Sequence, residues 1–162
     1  MRARRKRLDE TAETGPRRQA RRQGDRVLNR AWRSAPTPNP VRSRRLRILV
    51  IEDNADGRET LKAILTLQGH EVHEAADGLS GADLALAVRP DVALIDIGLP
   101  GIDGYEVARR VRAGVGGGLI KLIAFTGYGQ EEDVRRAKVA GFDACLVKPV
   151  EFDALEEILA GT

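Results

Sequence analysis

From Leu46 onwards the chain alternates short apolar segments with longer amphipathic ones, and this order constrains the fold more than any other feature. The strand-like segments are rich in β-branched or aliphatic residues and lie at 46–51, 71–75, 92–97, 119–125 and 144–148. Helical patterns follow them at 56–68, 80–88, 104–113, 130–140 and 151–160. Such strict alternation predicts an α/β fold, in which helices cover both faces of one parallel sheet through right-handed connections.

Polar residues stand at the carboxyl ends of four of the predicted strands. Glu52 and Asp53 follow the first strand, Asp96 lies in the third, Thr126 follows the fourth and Lys148 ends the fifth. In an open parallel sheet, ligands bind beyond these strand ends, at the point where the strand order reverses. Neighbouring strands lie about 4.8 Å apart, so adjacent first and third strands would bring Asp53 and Asp96 close enough to share one ion.

The acids of this group predict a magnesium site. Clustered carboxylates repel one another unless a positive charge lies among them. Mg²⁺ can supply this positive charge, because it takes oxygen ligands and keeps several waters. Lys148 adds a second positive charge at the same edge, and a phosphoryl group between metal and lysine would have its oxygens neutralised from both sides. The pattern therefore favours phosphoryl transfer.

The chain resembles the receiver domains of two-component response regulators, above all the receivers of hybrid sensor kinases. The strings that carry the resemblance are ILVIEDN, LIDIGLPGIDGYEVARRVR, AFTGYG and GFDACLVKPV, which occur in the family's order within residues 46–160. The intervals between Asp53, Asp96, Thr126 and Lys148 are 43, 30 and 22 residues. The resemblance implies a flavodoxin-like, doubly wound sheet of five parallel strands in the order 2-1-3-4-5.

The resemblance also implies how the acids act. Asp96 would be the phosphoacceptor, attacking a phosphohistidine of a histidine kinase or a phosphotransfer protein. Asp53 would bind Mg²⁺ directly and Glu52 mainly through water, with Asp96 and the Gly98 carbonyl as further ligands. A protein of this kind catalyses only its own phosphorylation and dephosphorylation, so it is not a conventional enzyme.

Signalling in the family depends on a switch at the same edge. Thr126 and Lys148 would each contact a phosphoryl oxygen, and the peptide bond before Pro149 would be cis. Three residues before the lysine the family usually has an aromatic residue or a histidine that moves inward with the threonine; here the residue is Cys145. Cys145 is more typical of a small core residue than of a redox centre. The usual coupling is therefore altered, although the fourth strand, fourth helix and following loop could still rearrange.

The start of the chain differs in composition from the rest. Residues 1–45 are predicted to be a disordered basic tail and proline-rich linker, and residues 46–162 the receiver domain. Residues 1–47 carry 16 Arg and Lys against four acids, whereas the remainder has 11 bases and 20 acids. Any contact with nucleic acid would be made through residues 1–47. A nucleic-acid-binding protein with the receiver as its switch is therefore an alternative function.

A phosphatase of the haloacid-dehalogenase type is a second alternative, since it also uses a nucleophilic Asp, a Thr, a Lys and Mg²⁺. Its chemistry needs a general acid two residues after the nucleophile, where this chain has Gly98. This departure argues against the phosphatase.

The remaining expectations concern location and output. No window approaches the run of about 18 apolar residues that a membrane span needs, and a single cysteine fits a reducing compartment, so the cytoplasm is expected.

The chain ends soon after the fifth helical pattern, so we expect no C-terminal output domain. Output would then pass through a downstream protein target or a phosphorylation-dependent homodimer. His70 and His73 are expected at the surface, and the glycine-rich stretch 114–119 as a flexible loop.

Overall fold

The computed structural model describes residues 44–127 and 131–162. Its strands are β1 (Arg47–Ile51), β2 (Glu71–Ala75), β3 (Val92–Asp96), β4 (Lys121–Thr126) and β5 (Ala144–Val147). Its helices are α1 (Ala55–Leu67), α2 (Gly78–Val88), α3 (Gly104–Ala113), α4 (Glu131–Ala140) and α5 (Phe152–Ala160). The predicted α/β class is confirmed, and the predicted tail lies outside the described residues apart from Arg44 and Arg45.

All strand pairs are parallel, and the sheet has the order β2-β1-β3-β4-β5. The chain therefore steps outward from β1 to β2, returns past β1 to β3 and continues to β5. This reversal brings the carboxyl ends of β1 and β3 side by side, which is where ligands bind in sheets of this kind. The predicted doubly wound order is confirmed.

The core forms two layers because successive strand residues point to opposite faces of the sheet. On one face Leu49, Ile95 and Leu122 pack under α2, α3 and α4. On the other, Ile48 and Phe125 pack under α1 and α5. Every residue of β3 is buried, as expected for a central parallel strand with helices on both sides. Among the described residues, no helix combines the length and the apolarity that crossing a membrane requires.

The end of α1 corrects the prediction for His70. Gly69 adopts φ +92°, and the amides of Gly69 and His70 donate to the carbonyls of Thr66 and Leu65, so the helix ends in a Schellman motif. This turn directs His70 inward, where it is 7% exposed and accepts the Leu46 amide hydrogen at Nδ1 over 3.2 Å. The expected surface position is therefore wrong for His70.

His73 is half-buried, with its Nε2 3.1 Å from a carboxylate oxygen of Glu71. The glycine-rich stretch is also more ordered than predicted, because residues 117–119 form a 3-10 helix. The Arg112 guanidinium donates to the carbonyls of Gly117 (2.6 Å) and Ile120 (2.7 Å) and so ties this turn to α3.

Candidate functional site

The first part of the site is the junction between β1 and α1. β1 ends at Ile51, and Asn54 caps the helix, since its Oδ1 accepts the Gly57 amide hydrogen over 2.9 Å. Glu52 and Asp53 occupy the two positions between strand and cap. Glu52 is 5% exposed, and its Oε1 accepts the Asn54 amide hydrogen over 3.3 Å. The capped turn therefore places two carboxylates at the carboxyl edge of the sheet, with Glu52 buried and Asp53 exposed.

The second part is the end of β3. Asp96 is its last residue and is 8% exposed. The first turn of α3 packs directly against this strand end, because a side chain on Gly104 would place its Cβ 2.4 Å from the Asp96 carbonyl oxygen. Gly98 is exposed, and a Cβ there would lie 3.4 Å from Asp96 Oδ2. The glycine at 98 thus leaves the space beside this carboxylate oxygen open.

Lys148 connects these two parts. Its Nζ donates to Glu52 Oε2 over 2.7 Å and lies 3.0 Å from Asp96 Oδ1. Its amide donates to the Thr126 carbonyl over 2.8 Å, and its peptide bond to Pro149 is cis, as predicted. Partial burial acts to lower the pKa of Lys148, but hydrogen bonds to the two carboxylates outweigh burial and hold that pKa above its ordinary value. Lys148 is therefore a fixed ammonium ion between two buried acids.

The three acids lie close enough together to hold a metal ion. One carboxylate oxygen from each of Glu52, Asp53 and Asp96 lies within 4.8 Å of the others. Three carboxylates against one ammonium leave a formal charge of two negatives, which a divalent cation balances. Within the described residues, no side chain pairs with the Asp53 carboxylate, so its oxygens face solvent at the mouth of the site. Oxygen donors with open access to water suit Mg²⁺, which retains part of its hydration shell.

Thr126 and Cys145 lie on the neighbouring strands. Thr126 is the last residue of β4, is 4% exposed, and lies between the ends of β3 and β5. Cys145 pairs with Ala124 in the sheet and packs against the core layer under α2, α3 and α4. Burial raises the pKa of the Cys145 thiol to about 11, so the thiol stays protonated near neutral pH. This environment is that of a packed core residue rather than a redox centre.

The acids, the threonine and the lysine lie at the strand ends where the sequence predicted them, but sequence reasoning did not single out Arg58. This residue lies in α1, and its Nη1 donates to the carbonyl of Glu52 over 2.7 Å and to that of Asp53 over 3.4 Å. No hydrophobic period or short motif marks an arginine at this position. Asn54 was also missed, although an asparagine directly before a helical pattern is a known capping signal.

A groove of about 460 Å³ opens beside Lys148, between α1 and the segment that joins β5 to α5. Phe125 and Leu61 line it with apolar surface, and Phe152, 40% exposed, lies at its rim. The polar lining comes from Asp56 and Thr60 in the first turns of α1 and from Glu52, Asn54 and Lys148 outside the helix. The groove therefore joins apolar side chains to Glu52 and Lys148 of the site.

Residues 48–160 match the family model described as the response regulator receiver domain. The virulence sensor protein BvgS of Bordetella pertussis is 37% identical over 119 residues, which cover 70% of this chain but 10% of that protein. Sporulation initiation phosphotransferase F of Bacillus subtilis is 30% identical over 111 residues, which cover 68% of this chain and 88% of that protein.

Solved structures give the same likeness. The receiver domain of a sensor histidine kinase from Pseudomonas aeruginosa PAO1, crystallised with a magnesium ion coordinated in its active-site cleft, is 32% identical with a TM-score of 0.67. The match covers 74% of this chain and 100% of that domain. Sequence and fold thus point to one group of proteins over residues 48–160, while the chain spans only a tenth of the length of the Bordetella relative.

Proposed function

The chain belongs to the response regulator receiver domain family, and from that premise we propose that it accepts a phosphoryl group on Asp96 and signals through the phosphorylated state. The observation that carries this proposal is the placement of Lys148 Nζ within 3.0 Å of both Glu52 and Asp96, beside the exposed Asp53. A buried aspartate that keeps an ammonium partner and an open side is suited to attack an electrophilic phosphorus.

In the proposed step, an Asp96 carboxylate oxygen attacks the phosphorus of a phosphohistidine. The new P–O bond forms an acyl phosphate as the P–N bond breaks. The electron pair of the P–N bond returns to the imidazole nitrogen. Asp96 Oδ2 lies on the side that Gly98 leaves open, whereas Oδ1 contacts Lys148. We therefore assign Oδ2 as the attacking atom.

Asp53 and Asp96 would hold Mg²⁺ directly, Glu52 mainly through water, and the Gly98 carbonyl would be a further ligand. When bound, the ion would offset negative charge on the transferred phosphoryl oxygens. Lys148 would exchange its contact with Asp96 for a phosphoryl oxygen, and Thr126 would donate its hydroxyl hydrogen to another. Lys148, Thr126 and the half-buried Cys145 would transmit the change through β4 and β5.

The donor we propose is a histidine kinase or a phosphotransfer protein, received at the groove between α1 and the β5–α5 segment. Its apolar rim at Val150 and Phe152 would contact a partner helix, while the end at Glu52 and Lys148 would receive the phosphohistidine. The likeness to a sensor protein and to a phosphotransferase of sporulation supports a donor of this class.

The proposal has further parts. The receiver domain would comprise residues 46–162 and act in the cytoplasm, with residues 1–45 as a basic tail and linker. Any contact with nucleic acid would be made through residues 1–47. The protein would catalyse its own phosphorylation and dephosphorylation but no turnover of an external substrate. A downstream protein or a phosphorylation-dependent homodimer would receive the signal.

The test is labelling with acetyl phosphate in the presence of MgCl₂, followed by intact mass spectrometry. Wild type should gain one phosphoryl group and Asp96→Asn none. Asp91→Asn is the matched control, since Asp91 lies beside the amino end of the same strand, where it accepts the Arg47 amide hydrogen through a side-chain oxygen that asparagine retains. Equal labelling of Asp96→Asn and wild type would refute the assignment.

A further inference from the structure

Arg58 makes an unusual contact for a helical surface residue, because its side chain turns back onto the loop that precedes the helix. Its Nη1 lies 2.7 Å from the Glu52 carbonyl oxygen and 3.4 Å from that of Asp53. The amide of Arg58 donates to the Asn54 carbonyl over 3.0 Å, so its own backbone is fixed by the first turn of α1. One cation thus joins the helix to the two peptide units that flank Asp53.

These two peptide units set the direction in which the side chain of Asp53 leaves the backbone. The carbonyl of Glu52 belongs to the peptide before Asp53, and the carbonyl of Asp53 belongs to the peptide after it. A donor that binds both carbonyls restrains rotation about the backbone bonds of Asp53. This restraint matters most for Asp53, because Glu52 is already held by Lys148 and by the Asn54 amide.

We propose that Arg58 is a positioning residue for the metal site: it fixes the β1–α1 loop so that the carboxylate of Asp53 faces that of Asp96. The inference rests on the proposed function, in which Asp53 holds Mg²⁺. Groups that orient metal ligands typically change metal affinity by about 10- to 100-fold when they are removed. We expect the lower end of that range, since Arg58 acts on the backbone and not on the ligand oxygens.

Charge alone predicts the opposite sign. Arg58 is a cation bound to the backbone of Glu52 and Asp53, so by Coulomb's law its removal should strengthen the binding of a divalent cation nearby. The direction of the change in Mg²⁺ affinity therefore separates positioning from simple electrostatic repulsion.

The experiment compares unphosphorylated wild type, Arg58→Met, Arg58→Lys and Lys62→Met by titrating MgCl₂ and following backbone amide chemical shifts. Lys62→Met removes another α1 cation, which pairs with Glu74 over 3.2 Å and contacts no site carbonyl. Arg58→Met should bind Mg²⁺ about tenfold more weakly than wild type. Arg58→Lys keeps the charge and an N–H donor, so its Mg²⁺ affinity should lie between those of Arg58→Met and wild type. Lys62→Met should match wild type or bind slightly more tightly.

A thermal unfolding curve without Mg²⁺ shows whether each variant is folded. If Arg58→Met is not folded, the Mg²⁺ affinity of Arg58→Lys decides whether Arg58 positions the metal site. At saturating MgCl₂, labelling of Arg58→Met by acetyl phosphate should approach the wild-type rate, because positioning limits metal binding and not the acceptor. Mg²⁺ affinity in Arg58→Met equal to or tighter than wild type would overturn the inference and leave the proposed function intact. Failure of wild type to bind Mg²⁺ would instead refute the metal site of the proposed function, and this inference with it.

Discussion

Lys148→Met should destabilise the metal-free protein, and Mg²⁺ should reverse much of that loss. In the wild type, the ammonium of Lys148 lies within 3.0 Å of two carboxylates that are 5% and 8% exposed. Methionine has a similar length and fills similar space, but it leaves Glu52 and Asp96 as neighbouring buried anions without a partner. Removing one member of a buried ion pair is destabilising because the remaining charge stays desolvated.

The size of the effect follows from the burial of the three groups. Breaking a buried pair costs about 3 to 5 kcal/mol, but the Lys148 side chain is 35% exposed, so water enters this site. We therefore expect a loss of about 2 to 3 kcal/mol in the free energy of unfolding at pH 7. A ligand present at 100 times its dissociation constant stabilises the folded state by about 2.7 kcal/mol, so saturating Mg²⁺ can restore a loss of this size.

Urea denaturation with and without MgCl₂ measures both quantities, with Lys62→Met as the control. The exposed pair of Lys62 and Glu74 should be worth less than about 1 kcal/mol and should not respond to Mg²⁺. Mg²⁺ should stabilise Lys148→Met more than it stabilises wild type, because the ion no longer competes with an ammonium for the same oxygens. The reasoning fails if Lys148→Met loses no more stability than the control, or if Mg²⁺ stabilises both proteins equally.

Three further predictions concern the residues around the site and the core. Burial lowers the pKa of His70, so the folded state favours the neutral ring. The free energy of unfolding should be full above about pH 6.5 and fall as the pH drops towards the lowered pKa. Urea titrations should show a weaker pH dependence in His70→Asn, which keeps an acceptor at the δ position. Gly104→Ala should cost more than about 2 kcal/mol in urea denaturation, because its Cβ would meet strand backbone at 2.4 Å, whereas Gly57→Ala, with contacts no closer than 3.6 Å, should be tolerated. With a pKa of about 11, the Cys145 thiol should react with iodoacetamide at pH 8 about 100-fold more slowly in the folded protein than in urea, and equal rates would contradict the packed environment.

The fold could be predicted because its signals are local. Each strand is a short aliphatic segment and each helix an amphipathic one, so alternation alone gave the α/β class with boundaries within two residues of the structure. The acids and the lysine could be placed for the same reason: they end strands, and the carboxyl ends of parallel strands share one edge. Their roles as metal ligands, phosphoacceptor and switch remain predictions.

The features that were missed depend on contacts between segments or on side-chain direction. His70 is polar and follows a glycine, which favours a surface turn, yet the geometry of the helix end points it at the Leu46 amide, 24 residues earlier in sequence. The turn at 117–119 is ordered by Arg112 on α3. Arg58 has no partner within its own helix face and acts on backbone carbonyls, which residue patterns do not reveal.

Under the proposed function, the contact of Lys148 with the two buried acids would account both for the resting stability of the site and for its switching. Lys148 neutralises one charge of the acidic cluster and holds Glu52 and Asp96 together across 96 and 52 residues of chain. Under the proposed function, a phosphoryl group on Asp96 adds anionic oxygens that compete for this ammonium. Because the Lys148 amide donates to the Thr126 carbonyl over 2.8 Å, a shift of the lysine backbone would act on β4 and β5 together. Under the proposed function, the backbone link between Thr126 and Lys148 would thus provide a route for coupling that needs no aromatic side chain at the position of Cys145.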